Sequence, residues 1–128
     1  MSENQNFIQI FKFVDDISKP GRILSTAKIG EVYMSRLLID PGITTGNIYH
    51  KDTSAMFFVE RGEVLASFEN IETKEKKDLK VRTGTHAIHI PPFVANATKN
   101  IGTNTAVLVF FTDKRLRSGD DFDYHILD

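Results

Sequence analysis

Four histidines, three tyrosines and no cysteine set the range of chemistry open to this 128-residue chain. Imidazole is the side chain whose ordinary titration spans neutral pH, so each histidine is a candidate acid, base or metal ligand. The absence of cysteine removes disulfides, thiolate ligands and thiol nucleophiles. His86 and His89 lie three apart in an extended run, so they face opposite ways and at most one can serve an interior site. Surface or contact positions suit both, and His125 sits in a charged tail that gives it no role. His50 closes a short extended run, residues 47–50, just after the turn Asp40-Pro41-Gly42. In the run before that turn, residues 31–39, Tyr33 and Ser35 share one face and Arg36 takes the other. If the Tyr33 face turns inward, a phenol is placed to act as an acid or to stack on a ligand. If the other face does, Arg36 is placed to pair with a phosphate. Arginine usually faces solvent, so Tyr33 is expected inside.

The elements that must position these groups read as short strands punctuated by turns. Residues 7–14 (FIQIFKFV) alternate cleanly and predict one N-terminal strand. After the turn Lys19-Pro20-Gly21 come strands at 22–27, 31–39, 47–50, 55–60, 63–68, 79–82, 86–90, 94–99 and 105–112. Residues 70–78 form a charged hairpin end, and Pro91-Pro92 stops a strand because proline cannot donate to a ladder. Strands recurring about every ten residues predict a sandwich or barrel, and no stretch has a helical period. Phe57 and Val59 share one face while Met56 and Phe58 share the other, so that strand is expected to be covered on both sides. The tail, residues 113–128, is charged and is expected to wrap the surface, with Phe122, Tyr124 and Ile126 as anchors.

Length suits a single domain over residues 1–128, and 41% hydrophobic residues with ten Phe can fill one core. Net charge is −1, with 16 basic and 17 acidic residues dispersed, so no nucleic-acid or membrane partner is expected. The polar start, residues 1–6, is neither a secretory signal nor a span, which makes the cytoplasm the expected location.

Two stretches carry a family resemblance. Residues 41–62, PGITTGNIYHKDTSAMFFVERG, resemble the first cupin motif: a Pro-Gly turn, a strand with two alternating ligand positions, a loop, and an apolar strand ending in Gly. Residues 91–100, PPFVANATKN, resemble the second motif, a proline turn followed by a ligand position and then an asparagine, here Asn100. From about residue 15 onward the chain is similar to the cupin domain that ends bifunctional capsular-polysaccharide sugar-nucleotide reductase/epimerase proteins. That likeness rests on PGITTGNIYH, the IPP turn, Asn100-Ile101-Gly102 and the acidic-aromatic ending at 121–124. More distantly it resembles sugar-nucleotide 3,5-epimerases and 3,4-ketoisomerases. The resemblance implies an all-β fold, a single cupin (double-stranded β-helix, jelly-roll) barrel.

It also exposes departures. The cupin ligand positions read Ile48, His50, Ala55 (or Met56) and Asn96, and Asp52 falls in the loop after the strand. Isoleucine cannot coordinate and a neutral amide is a poor transition-metal ligand, so no metal and no cofactor are expected. The epimerase base aligns with Ile48, and Thr45 replaces a common arginine. Proton abstraction would have to be re-centred on His50, two residues along on the same face. The resemblance therefore implies His50 and Tyr33 as catalytic groups and Asn96, Ser35, Phe57 and Arg36 as substrate-binding ones. One reading is a metal-independent epimerase or isomerase of a nucleotide-linked keto-hexose in surface-polysaccharide biosynthesis. The other is a non-catalytic cupin binding a sugar or nucleotide in a degenerate site. Under either, the partner is a nucleotide-linked sugar, and a homodimer is expected to cover the open edge of residues 7–14.

Overall fold

A computed structural model of the chain describes residues 2–4 and 7–128, and every regular element among them is a β-strand. The short strands β1 (Ser2–Asn4) and β2 (Gln9–Phe11) pair as a two-stranded ribbon. The remainder forms two antiparallel sheets. One runs β10 (Ala87–Ile90), β7 (Ala55–Arg61), β12 (Ala106–Thr112), β5 (Val32–Ile39), β4 (Arg22–Ile29) and β3 (Val14–Asp16). The other runs β13 (Phe122–Asp123), β6 (Thr44–Tyr49), β11 (Val94–Asn100), β8 (Glu63–Asn70) and β9 (Lys76–Arg82). The chain crosses from sheet to sheet at nearly every turn from β5 to β12, which is the jelly-roll connectivity expected of the sequence.

Alternation decides the core. Leu37 and Ile39 on β5, Ala55, Phe57 and Val59 on β7, and Leu108 on β12 point from the first sheet toward Val64 and Ala66 on β8 and Val81 on β9. The rings of Phe57 and Phe110 stack within this layer, 5.0 Å between centroids. On the outward face of β7, Met56 and Phe58 remain exposed, so that strand is covered on one side only within a single copy. No helix among the described residues is long and apolar enough to cross a membrane.

The N-terminal strand expected over residues 7–14 is broken. β2 turns away to pair with β1, and β3 starts at Val14 and pairs with β4. The alternation predicted a half-buried strand, but neither face of this segment meets the core, and Phe7, Ile8, Ile10, Phe13 and Val14 are all exposed. The tail does wrap the molecule. Phe122 stacks on Tyr49 at 5.5 Å and the Tyr124 hydroxyl donates to Glu69 Oε2 at 2.5 Å. Ile126 and Leu127 are held through their backbone N–H groups, both donating to Asn47 Oδ1. Asn47 sits at φ 56° beside Gly46 at φ 96°, opposite a register shift between Asn96 and Ala97. Asparagine tolerates this left-handed conformation better than most residues. A Cβ on Gly46 would lie 2.8 Å from the Asn96 carbonyl oxygen, so glycine is required there.

Candidate functional site

Between the sheets, at the end where β6 finishes and β7 begins, the side chains leave a cavity of about 80 Å³ for the centres of water-sized molecules. Its walls are mainly apolar: Leu24, Leu37, Ile48, Ala55, Ile90 and Phe110. Thr45, Gly46, Thr98, Asn96 and His50 supply the polar part of the lining, and Lys19, Arg22, Leu116 and Arg117 complete it, with half-buried Lys19 and exposed Arg117 marking its solvent side, the mouth. Ile48 and His50 both reach the cavity, as a two-residue spacing on one strand demands. Ala55 rather than Met56 takes the next wall position, since Met56 is exposed on the outer face.

His50 is 6% exposed. Its Nδ1 lies 2.6 Å from the backbone carbonyl oxygen of Asp120. A carbonyl only accepts, so Nδ1 carries the proton and donates it, and in the neutral ring Nε2 is left as the basic nitrogen. The side chain of the same Asp120 organises the loop that follows. Its carboxylate accepts from the N–H groups of Lys51 (3.1 Å) and Asp52 (3.0 Å) and from Thr53 Oγ1 (2.7 Å). Burial works against the charge, but these hydrogen bonds, led by that of Thr53 and aided by nearby His50, hold the Asp120 carboxyl below its ordinary 3.8. Asn96 makes one long hydrogen bond, from Nδ2 to the Ile48 carbonyl at 3.5 Å. The rest of its amide capacity is open to the cavity.

Asp120→Ala is expected to cost about 2–3 kcal/mol at neutral pH, because three donors lose a charged acceptor. The folded carboxyl is more acidic than the unfolded one, so its contribution is complete above the unfolded value and is lost as pH falls through the folded value. Urea denaturation across pH should therefore show wild type and variant converging below about pH 4. An undiminished gap at pH 2 would rule this origin out.

Of the six residues singled out from sequence, His50 and Asn96 line the cavity and the other four do not. Tyr33 lies on the inward face but near the far end of β5, with the Lys28 ammonium 5.5 Å from its ring centroid. Ser35 is fully buried and shares a hydrogen bond with Thr26 Oγ1 at 2.9 Å. Phe57 belongs to the packed core beneath Phe110. Arg36 faces outward and pairs with Glu60 at 3.3 Å. His89 bonds Ser54 Oγ at 2.7 Å on the outside, while His86 and His125 are exposed. Sequence reasoning missed Arg22, although its alternation with buried Leu24 and Thr26 was there to be read. It also missed Lys19, Arg117 and Asp120, whose positions depend on contacts between distant segments.

The fold family usually holds a metal at this place, and the donors present do not fit one. The corresponding positions offer one imidazole nitrogen, one amide and two hydrocarbon side chains. Asp52 points away and pairs with Lys114 at 3.4 Å. Among the described residues no three His, Asp or Glu side chains gather into a cation site.

Comparison with solved structures supports the cupin architecture. The capsular polysaccharide assembling protein CapF from Staphylococcus aureus superposes with a TM-score of 0.79 at 18% identity, over 91% of this chain and 34% of that one. Oxalate oxidase superposes at 0.67 and 21% identity, over 77% of this chain and 54% of the other. Oxalate decarboxylase does so at 0.72 and 13%, over 84% and 29%. The chain thus spans about a third of CapF, and these likenesses establish the fold alone. No curated protein matches the sequence. The family model of the polysaccharide biosynthesis C-terminal domain, however, aligns with residues 20–123, most of the chain including both walls of the cavity, and the protein belongs to that family.

Proposed function

We propose that this cupin acts in capsular or other surface-polysaccharide synthesis by moving a proton next to the ketone of a nucleotide-linked keto-hexose. The observation that carries the reading is His50, a buried imidazole whose Nδ1–H is tied to a backbone carbonyl and whose Nε2 is free for chemistry at an apolar cavity. In the step, Nε2 takes the proton from the carbon beside the ketone. The C–H electrons form the new C=C bond and the ketone oxygen becomes an enolate. Asn96 can donate its spare amide N–H to that oxygen, and the weakly polar walls strengthen the interaction. Return of the proton from His50 to the former carbonyl carbon, while the adjacent hydroxyl passes its proton to the enolate oxygen and becomes the new ketone, isomerises the sugar. Protonation of the original carbon by water on the opposite face, with His50 giving its proton back to solvent, epimerises it. Exchange of the proton with solvent is common to both.

A binding module is the second reading, favoured by Ile48 and Ala55, which put hydrocarbon where related sites put reactive groups. Proton NMR in D₂O with a panel of nucleotide-linked 3-keto and 4-keto hexoses separates the two. Deuterium wash-in beside the ketone supports proton transfer. Ligand broadening without any wash-in would establish the binding module instead.

The functional unit is proposed to be a homodimer. β3 is one edge of the larger sheet, and Val14 on it and Ile17 just after it are 53% and 74% exposed. An apolar edge of this kind invites a second copy. Sedimentation equilibrium should give a dimer, and a Phe13→Asp, Val14→Lys double variant a monomer. A monomeric wild type at tens of micromolar would exclude this assembly.

A further inference from the structure

Three cations from two segments line the cavity: Lys19 in the turn before β4 and Arg22 at its start, and Arg117 from the tail. Arg22 is the unusual one. It is 6% exposed, yet it makes a single hydrogen bond, from Nη1 to the Asp16 carbonyl at 3.1 Å. Its Nη2 stands 3.7 Å from the Asp16 carboxylate, an ion pair too long for a hydrogen bond. A guanidinium has five N–H groups, so most of its donors have no protein acceptor among the described residues. Among the described residues no fully buried side-chain nitrogen or oxygen lacks a partner, so these spare donors reach accessible space, and the cavity that Arg22 lines is where such space lies. Arg117 is oriented by Asp121 at 2.8 Å and, more loosely, by Asp16 at 4.0 Å. Lys19 has no carboxylate within ion-pairing distance among the described residues. Burial lowers its proton affinity first, and Arg117 and Arg22 lower it further, outweighing the opposing pull of Asp121 and Asp123.

The cavity's size says which end of a ligand goes where. At roughly 10–15 Å³ per water on this measure, the space holds about five to eight water molecules, enough for one sugar ring and too little for a nucleotide beside it. A ring in the apolar chamber leaves its charged substituent among the three cations. We infer that Lys19, Arg22 and Arg117 form a phosphoryl-binding site that holds the diphosphate of the ligand at the mouth while the ring occupies the chamber. The identity of the anion rests on the nucleotide-sugar reading above, whereas the site itself does not require that His50 move a proton.

Inorganic pyrophosphate tests it, titrated into isotope-labelled protein at fixed ionic strength, with acetate in parallel. Saturable shifts are expected at the backbone amides of Lys19, Arg22 and Arg117, with acetate at least tenfold weaker. Lys19→Met, at a position outside the core, should weaken pyrophosphate at least about tenfold while keeping the spectrum dispersed. Arg22→Gln should weaken it further, and the Lys19 variant carries the test if that buried change unfolds the chain. Shifts that do not saturate, that acetate reproduces at equal concentration, or that survive in Lys19→Met overturn the site. Pyrophosphate binding without keto-sugar exchange supports it and removes only the proton-transfer reading. Exchange without pyrophosphate binding removes the site and leaves that reading standing.

Discussion

His50→Gln lowers the rate of deuterium wash-in beside the substrate ketone by at least about a hundredfold while leaving ligand binding in place, the expected size for loss of a positioned general base. Glutamine has nearly the reach of histidine, but its amide nitrogen stands closer to the place of Nε2 than of Nδ1, so its N–H meets the Asp120 carbonyl in poorer geometry. What it lacks is a nitrogen lone pair able to take a proton. The structural cost is expected to stay near 1 kcal/mol, since one hydrogen bond is remade less well. Binding persists because the mouth cations and Asn96 are untouched. The measurement is the NMR exchange rate at saturating ligand, read beside the thermal midpoint. Wild-type exchange in the glutamine variant would falsify the role of His50, and an unfolded variant is recognised by its lost midpoint and replaced by His50→Asn.

Period-two alternation carried most of what was legible in the sequence. It put Ile48 with His50, Phe57 with Val59, and Tyr33 with Ser35 on shared faces, and the buried Ser35, Leu37 and Ile39 show the Tyr33 face turning inward. Alternation gives a face and not a depth along the strand. Tyr33 pairs with Thr112 and Lys28 toward the end of its sheet, while the cavity begins near Leu37. Phe57 failed to reach the cavity for a related reason, because Phe110 from the adjacent strand stacks over it and takes the lining position. Of the mouth only Arg22 was legible, through its alternation with Leu24 and Thr26. Arg22 and Arg117 come together only because the tail is pinned, by Asp120 to residues 51–53 and by Asn47 to Ile126 and Leu127. Residues 7–14 misled because their pattern reports a hydrophobic face and says nothing of whether the same copy covers it.

The largest effect on stability is expected at Asn100, whose position beside a loop made it look like a simple turn residue. It is 1% exposed, and both N–H donors and the oxygen of its amide are engaged. Nδ2 donates to the carbonyls of Ile39 and Asn104, both at 2.8 Å, and Oδ1 accepts from Gly102 N–H at 2.9 Å. Its backbone N–H donates to the Ile43 carbonyl at 3.0 Å, and its carbonyl accepts from Gly42 N–H at 2.9 Å. One side chain therefore ties the end of β5 to the β11–β12 loop, while its backbone holds the start of β6. Asn100→Ala removes three hydrogen bonds and leaves two carbonyls and an N–H without them, each costing about 1–3 kcal/mol where water cannot enter, so a loss of about 4 kcal/mol is expected. Asn100→Asp keeps the volume but turns an acceptor toward two carbonyl oxygens, and it should destabilise at least as much near neutral pH. The pair of variants separates lost donors from lost packing. If packing were the cause, the aspartate would fold nearly as well as wild type in a urea titration and the alanine alone would fail. If the donors hold these segments together, both fail, and the cavity loses β6, the strand that brings Ile48 to its wall and leads directly into His50.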